Sequence, residues 1–277
     1  MSLWYYETFD DRIRFGLRVE HTLFAKQSDY QYVEVFKTVE LGKTLAIDGI
    51  YMTSEGDEHY YHEMIVHPAM VTVPGARRVL IIGGGDGGTA REVLRHPSVE
   101  KVVMVEIDQV VVDACKAHMP ELGSWDDPRL ELIIGDAIEY VKQAHVEPFD
   151  VIVLDGSDPV GPAEGLFNVD FYKGVSRLLR DGGVFSLQSE SPMIQRPVFL
   201  EVVQTLRTIF KTAQPYFGPV LLYGGAQWSW TFASNTVDPL AIDEAQLAHV
   251  EDGCKYYNRD IHRGAFALPN DLRRQLG

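Results

Sequence analysis

The sequence reads as an α/β protein in which a small antiparallel β-domain precedes a doubly wound, mostly parallel sheet. Three observations carry that reading. Val79 to Leu94, VLIIGGGDGGTAREVL, runs an apolar strand into a glycine turn and then into a helical pattern with an apolar face. Val99 to Asp108, VEKVVMVEID, is a second apolar strand ending on Glu106, about 20 residues after the glycines, where nucleotide folds place a carboxylate on ribose hydroxyls. Strands and helices then go on alternating to Ser191, whereas residues 1–60 alternate in polarity with the period of strands.

In chain order, the first stretch contains IRFGLRVEHTLF, YQYVEVFKTVEL and KTLAIDGIYMTS, with breaks at Gly42-Lys43 and Asp48-Gly49 that read as hairpin turns. A sheet of this size has little core of its own. It is expected to pack on the next domain or on another subunit, with Trp4, Tyr5, Tyr6 and Phe9 supplying apolar contact and an oligomer as the consequence. The boundary is placed at residue 60, giving an N-terminal β-domain, 1–60, and a catalytic domain, 61–277.

From His59 to Met70 the pattern turns helical, and HYYHEMIVH invites comparison with the zinc motif HExxH. Here His62 and His67 are five positions apart, about 140° round a helix, so their imidazoles point apart and no zinc site is expected. The better use of this helix start is to present Tyr61 and His62 toward the nucleotide cleft. After the second strand follow a helix, VVVDACKAHM, a third strand, RLELIIGDA, and a fourth, FDVIVLDGSD. Pro159 to Asn168, PVGPAEGLFN, reads as a stiffened lid. VFSLQSES supplies a fifth strand, and QPYFGPVLLYGG with WSWTFAS a closing hairpin.

Composition narrows the partners. With 277 residues and 45% hydrophobic content the chain can build one large core, or a large domain plus a small one. A formal charge of -15 argues against nucleic acid or anionic membranes and suits cationic small ligands. Cys115 and Cys254 are too few for a disulfide framework and read as reduced thiols in a cytoplasmic protein without a cysteine metal cluster. The start, MSLWYYETFDD, shows no export pattern, and no apolar run approaches the roughly 18 residues of a membrane span.

The ligand follows from charge. Asp86 inside the glycine turn would repel a pyrophosphate, and no GK[ST] supplies a phosphate-binding lysine, so a dinucleotide or ATP suits the turn poorly. A nucleoside with a positive group suits it better, and sulfonium nucleosides of the S-adenosylmethionine type fit. A parallel sheet puts its strand ends along one edge, so Asp86, Glu106, Asp136, Asp155 and Asp158 are expected to converge there. That much acidity needs cations or hydroxyls to balance it.

The segments LAIDGIYMTSEGDEHYYHEM, VLIIGGGDGGTAREVLRHPSVE, VEID, GDA, LDGSDPVGPAEGLF and KYYNRDIHRGAFALP, in that order, resemble the spermidine synthase family of aminopropyltransferases. The resemblance implies a Rossmann-like, methyltransferase-type domain behind the β-domain, and transfer of an aminopropyl group from decarboxylated S-adenosylmethionine, a co-substrate, to a diamine. No metal or other cofactor is implied. By motif position, Gln31, Glu106, Asp136 and Ala137 would hold the donor's nucleoside and Asp86 its ammonium. Asp155, helped by Tyr61, would take the proton from the acceptor amine, while His62, Asp158 and Tyr223 would bind the acceptor. A homodimer or homotetramer is expected. The family's usual Gln is Met52 here, and Leu221 to Ala226 stands where a PTYPSG-like turn is usual. Putrescine is the first expectation for the acceptor, and Gly224-Gly225 raises the expectation of a roomier pocket for agmatine, cadaverine or spermidine. The rival readings are a methyltransferase, disfavoured because its donor's carboxylate would meet Asp86 and Asp155, and a silent polyamine-binding module.

Overall fold

The computed structural model describes residues 3–9, 11–143, 147–158 and 161–277. Five strands, β1 (Leu3–Phe9), β2 (Ile13–Gln27), β3 (Tyr32–Thr38), β4 (Gly42–Ile47) and β5 (Ile50–Ser54), form an antiparallel sheet in sequence order. Asp48 and Gly49 both take positive φ between β4 and β5, as the tight hairpin there requires. The sequence reading missed β1. The sheet ends at Ser54, and α1 (Glu58–Met70) has begun before residue 60.

The second sheet holds β6 (Arg78–Gly83), β7 (Lys101–Glu106), β8 (Leu130–Ile134), β9 (Phe149–Asp155), β10 (Leu179–Gln188), β11 (Thr212–Val220) and β12 (Ala226–Ser234). Their spatial order is β11-β12-β10-β9-β6-β7-β8, parallel from β10 through β8, with β12 antiparallel to both neighbours. The chain runs outward from β6 to β8 and then returns to the other side of β6 with β9. Such a reversal opens a crevice at the carboxyl ends of the two central strands. Helices α2 (Gly88–Leu94), α3 (Gln109–His118), α4 (Ala137–Lys142), α5 (Val169–Leu178) and α6 (Arg196–Arg207) connect the strands, and α7 (Glu244–Val250), α8 (Arg259–Ala265) and α9 (Asn270–Leu276) close the chain.

Alternation along β6 sorts the core into two faces. Val79 and Ile81 join Met64, Ile65, Tyr216 and Trp230 on one side, while Leu80 and Ile82 join Phe149, Ile152, Leu154 and Phe185 on the other. α1 lies within the first face and is buried nearly all round, which explains why its sequence shows no clean polar stripe. Val33, Val35, Leu45 and Ile47 of the N-terminal sheet pack on Val111, Ala114 and Cys115 of α3. The small sheet therefore uses the larger domain as its core. Tyr5 turns inward onto Phe36, with ring centroids 4.5 Å apart, whereas Trp4 and Tyr6 remain exposed.

Candidate active site

The glycine turn at the end of β6 is shaped by its neighbours. Gly83 pairs with Asp155 across the β6–β9 ladder, and a Cβ on Gly83 would lie 2.3 Å from the Asp155 carbonyl oxygen. One on Gly85 would lie 2.9 Å from Glu106 Oε2. Glycine is thus what lets the turn sit against both carboxylate-bearing strand ends.

A first cavity opens there, lined by Gln31, Met52, Tyr61, Asp86, Glu106, Asp136, Ala137, Asp155 and Tyr223. Glu106 accepts from Asp108 N at 2.8 Å, and Asp108 in turn holds Gln31 Nε2 at 3.0 Å and Ser28 Oγ at 2.6 Å, fixing Gln31 from the N-terminal sheet against the nucleotide edge. Burial pushes the Glu106 carboxyl up to about 7. Asp136 caps α4 by accepting from Ile138 N at 2.7 Å and is exposed toward the cavity.

Asp155 is held from both sides. Tyr61 Oη donates to its Oδ1 at 2.8 Å and Thr89 Oγ1 to its Oδ2 at 2.6 Å. Burial, and then Asp86, raise the Asp155 carboxyl above its ordinary range. Burial and Asp155 together hold Tyr61 well above the usual phenol range, so its hydroxyl stays a donor.

A second cavity adjoins the first, lined by Glu7, Phe9, Tyr51, Asp158, Gln188, Gln195 and Trp228. Met52, Tyr61, Gly156, Ser157 and Tyr223 line both. Tyr223 is set by its partners: its hydroxyl donates to the Met52 carbonyl at 2.6 Å, its ring meets Tyr61 edge-on with centroids 5.7 Å apart, and the preceding Leu222 N donates to Asp57 at the start of α1. Tyr61 lines both chambers and holds Asp155 on the wall of the first.

Of the residues expected from sequence, Gln31, Tyr61, Asp86, Glu106, Asp136, Ala137, Asp155 and Tyr223 come together in the first cavity, and Asp158 lines the second. His62 departs from expectation. One position on from Tyr61, its ring turns away from both cavities and lies buried behind Asp86, with Nδ1 2.7 Å from Glu58 and Nε2 3.2 Å from Asp86. Burial alone would push the imidazole down, but Asp86 and Glu58 outweigh it and hold His62 well above its usual range. The imidazolium in turn keeps Asp86 below the usual carboxylate range despite burial. His62 is thus the counter-ion of Asp86 rather than an acceptor contact.

Across the chain, a model of the spermine/spermidine synthase domain matches residues 58–243, and one of the spermidine synthase tetramerisation domain matches residues 3–55. The chain belongs to the spermidine synthase family. It is 43% identical to the polyamine aminopropyltransferase of Desulforudis audaxviator, covering 98% of both chains. The polyamine aminopropyltransferase of Methanocaldococcus jannaschii is 41% identical over 98% of this chain and 94% of its own. The spermidine synthase of Thermotoga maritima superposes with a TM-score of 0.94 at 37% identity, covering 99% of this chain and 94% of that one. A spermidine synthase structure solved in complex with the transition state analogue AdoDATO gives a TM-score of 0.95 at 38% identity, covering 99% of this chain and 95% of that one. The chain is accordingly a polyamine aminopropyltransferase of this family.

Within this spermidine synthase family member, several lining or supporting residues escaped the sequence reading. Glu7 lies on the missed β1, where Tyr5, Glu7 and Phe9 form the inward row. Thr89 opens α2 directly after the glycines, a position from which a hydroxyl can reach the neighbouring strand end. The expectation of extra room at Gly224-Gly225 is corrected. Both take positive φ and neither lines the second cavity, while a Cβ on Gly224 would come within 3.2 Å of Ile194 and Phe9. In the lid, Ala163 and Leu166 line the first cavity, and Pro159 and Val160 lie outside the described residues.

Two groups offer ligand atoms close enough for a metal: His67, Glu92 and Cys254, and His62, Asp86 and Asp155. The first brings Cys254 to a histidine and a carboxylate distant in sequence, which the two-cysteine count did not anticipate. Positive partners already balance both. Arg91 and Arg95 pair with Glu92 at 2.9 and 2.6 Å, and His62 pairs with Asp86.

Proposed function

We propose that this enzyme transfers the aminopropyl group of decarboxylated S-adenosylmethionine to putrescine, releasing spermidine and methylthioadenosine. Two adjoining acidic chambers that share Tyr61, the hydrogen-bond donor to Asp155, carry the reading. One chamber offers Glu106, Asp136 and Gln31 to a nucleoside and Asp86 to an ammonium, and the other offers Asp158 and Glu7 to the acceptor's remote ammonium. That a related spermidine synthase is solved in complex with the transition state analogue AdoDATO supports a group-transfer site in this fold.

The chemistry is a displacement at the carbon beside sulfur, with an amine as nucleophile. A free alkylamine with a pKa of about 10.4 is protonated at neutral pH and must lose a proton before it attacks. Asp155 is held by Tyr61 of the shared wall, and the raised Asp155 carboxyl is a better proton acceptor than an ordinary aspartate. Tyr61 and Thr89 fix both of its oxygens. The sulfonium becomes a neutral thioether as the bond breaks, so the reaction needs positioning and one proton acceptor, and no metal step is invoked.

A short diamine is the first choice, because the Gly224-Gly225 turn lies outside the lining of the second cavity and so adds no room there for a longer one. Incubation with decarboxylated donor and each of putrescine, cadaverine, agmatine and spermidine, read as methylthioadenosine by mass, tests the proposal. A tenfold higher kcat/KM for any longer amine would displace putrescine.

A further inference from the structure

Beyond Asp158, the acceptor chamber is backed by a residue that is costly in two ways. Glu190, just past the end of β10, is 1% exposed and takes φ 66, a left-handed backbone that costs a non-glycine residue on the order of 1 kcal/mol or more. The surroundings hold it there. Ser229 Oγ donates to its carbonyl at 2.6 Å, its own N–H donates to Gln188 Oε1 at 3.0 Å, and Gln188 Nε2 reaches back to Glu190 Oε1 at 3.3 Å and to the Gly156 carbonyl at 3.4 Å. Glu190 Oε2 is buried and receives no donor among the described residues.

The Glu190 carboxyl lies against that of Asp158, whose other described side-chain partner is Gln195 Nε2 at 3.4 Å. The titratable groups acting on Glu190 are Asp158, on the loop after β9, and Glu7, on β1. Among the described residues, no ion pair reaches any of these three carboxyls. Two carboxyls in contact without a cation cannot both ionise, so the pair keeps one proton. With that proton, a protonated Glu190 donates and the Asp158 carboxylate accepts. Burial orders the two in the same sense, pushing Asp158 up to about 6 and Glu190 well above its usual range.

We propose that Glu190 is the positioning residue of the acceptor chamber, acting as a neutral hydrogen-bond donor that fixes the Asp158 carboxylate in the chamber wall, where it meets the remote ammonium of the diamine. The assignment rests on the acceptor reading given above. A purely structural role would be met more cheaply by glycine at this φ, or by an apolar side chain at this burial. The chain instead keeps a buried, partly unpartnered carboxyl beside an aspartate that lines the second cavity.

Two variants of the whole enzyme test it, by initial rates with putrescine varied at saturating donor, methylthioadenosine Kd by calorimetry, and thermal unfolding. Glu190→Gln replaces one neutral donor with another and is expected to keep the putrescine KM within about threefold of wild type. Glu190→Gly removes the donor while easing the backbone, so the fold survives. Its putrescine KM is expected to rise about tenfold or more, the loss of a hydrogen bond to a charged group, with methylthioadenosine Kd unchanged and kcat at saturating acceptor within about threefold. If Glu190→Gln is impaired as badly as Glu190→Gly, the wild-type residue is an ionised ligand and the assignment is wrong. An unchanged KM in Glu190→Gly, or a donor Kd that weakens with it, also overturns the assignment. Wild-type enzyme that releases no methylthioadenosine with putrescine sinks the acceptor reading itself, a result distinct from any of these.

Discussion

At Asp155 the roles of shape and charge can be separated, because both oxygens are already occupied by donors. In Asp155→Asn the amide oxygen accepts from one of Tyr61 and Thr89 and the amide N–H donates to the other hydroxyl, so the fold should survive while the proton acceptor is lost. Turnover is expected to fall about 100- to 10,000-fold, with methylthioadenosine affinity changing far less. A variant that keeps a third of the wild-type rate at saturating substrates would remove Asp155 from the base role. Glu106 calls for a different readout. Its carboxyl, raised to about 7 by burial, must be ionised to accept two ribose hydroxyls, so methylthioadenosine should bind more weakly as pH falls through that value. Glu106→Gln should cost about 1.5 to 3 kcal/mol of that affinity and flatten its pH dependence, since nothing at the position then titrates. Calorimetric titrations that find the same slope in both proteins would place the ribose elsewhere.

Helix α1 shows how one element serves two purposes. Tyr61 enters the cavity, and His62, about 100° further round, enters the buried Glu58–Asp86 pair. Because the folded pKa of His62 is raised, its contribution to stability is complete below the unfolded value of about 6.5 and is lost as pH rises through the folded value. His62→Gln should therefore destabilise the protein by about 3 kcal/mol or more near neutrality, and the gap to wild type should narrow in alkaline solution. Denaturant titrations showing a gap that does not change with pH would mean His62 is neutral in the fold. The sequence told that a helix begins here and that Tyr61 faces the cleft, but not where His62 points, since its partner Asp86 lies on another element. The strand, glycine turn and carboxylate of β6 and β7 were legible because their signals are local and both faces are buried. β1 was not, because outward Trp4 and Tyr6 mask the alternation that inward Tyr5, Glu7 and Phe9 would have shown, and Glu7 was lost with it. Helices α7, α8 and α9, each 7 residues long, are too short to carry a period and are held by tertiary packing, as Leu272 and Leu276 on Phe199 and Phe217 illustrate.

For the whole molecule, β1 links assembly to the acceptor chamber. It is an edge strand, hydrogen-bonded in its sheet to β2, and its two faces do different work. Trp4 and Tyr6 stand exposed on the outward face, where they stack with ring centroids 6.2 Å apart. An exposed aromatic pair of this kind suits a protein contact, and this sheet matches the tetramerisation domain model. On the inward face, Glu7 accepts from Tyr51 N at 3.0 Å and lines the second cavity beside Phe9. An isolated edge strand with aromatics in water would fray more readily, and fraying would displace Glu7 before anything in the first cavity. Replacing Trp4 and Tyr6 together by Glu should lower the assembly state in sedimentation, because desolvated carboxylates would face one another across the contact. The dissociated protein should show an acceptor KM raised severalfold, while methylthioadenosine affinity, assigned by the proposed function to the first cavity with Glu106, Asp136 and the Asp108-held Gln31, stays close to wild type. Dissociation with both constants unchanged would show that β1 holds its inward face unaided, and an unaltered sedimentation profile would move the subunit contact away from this patch.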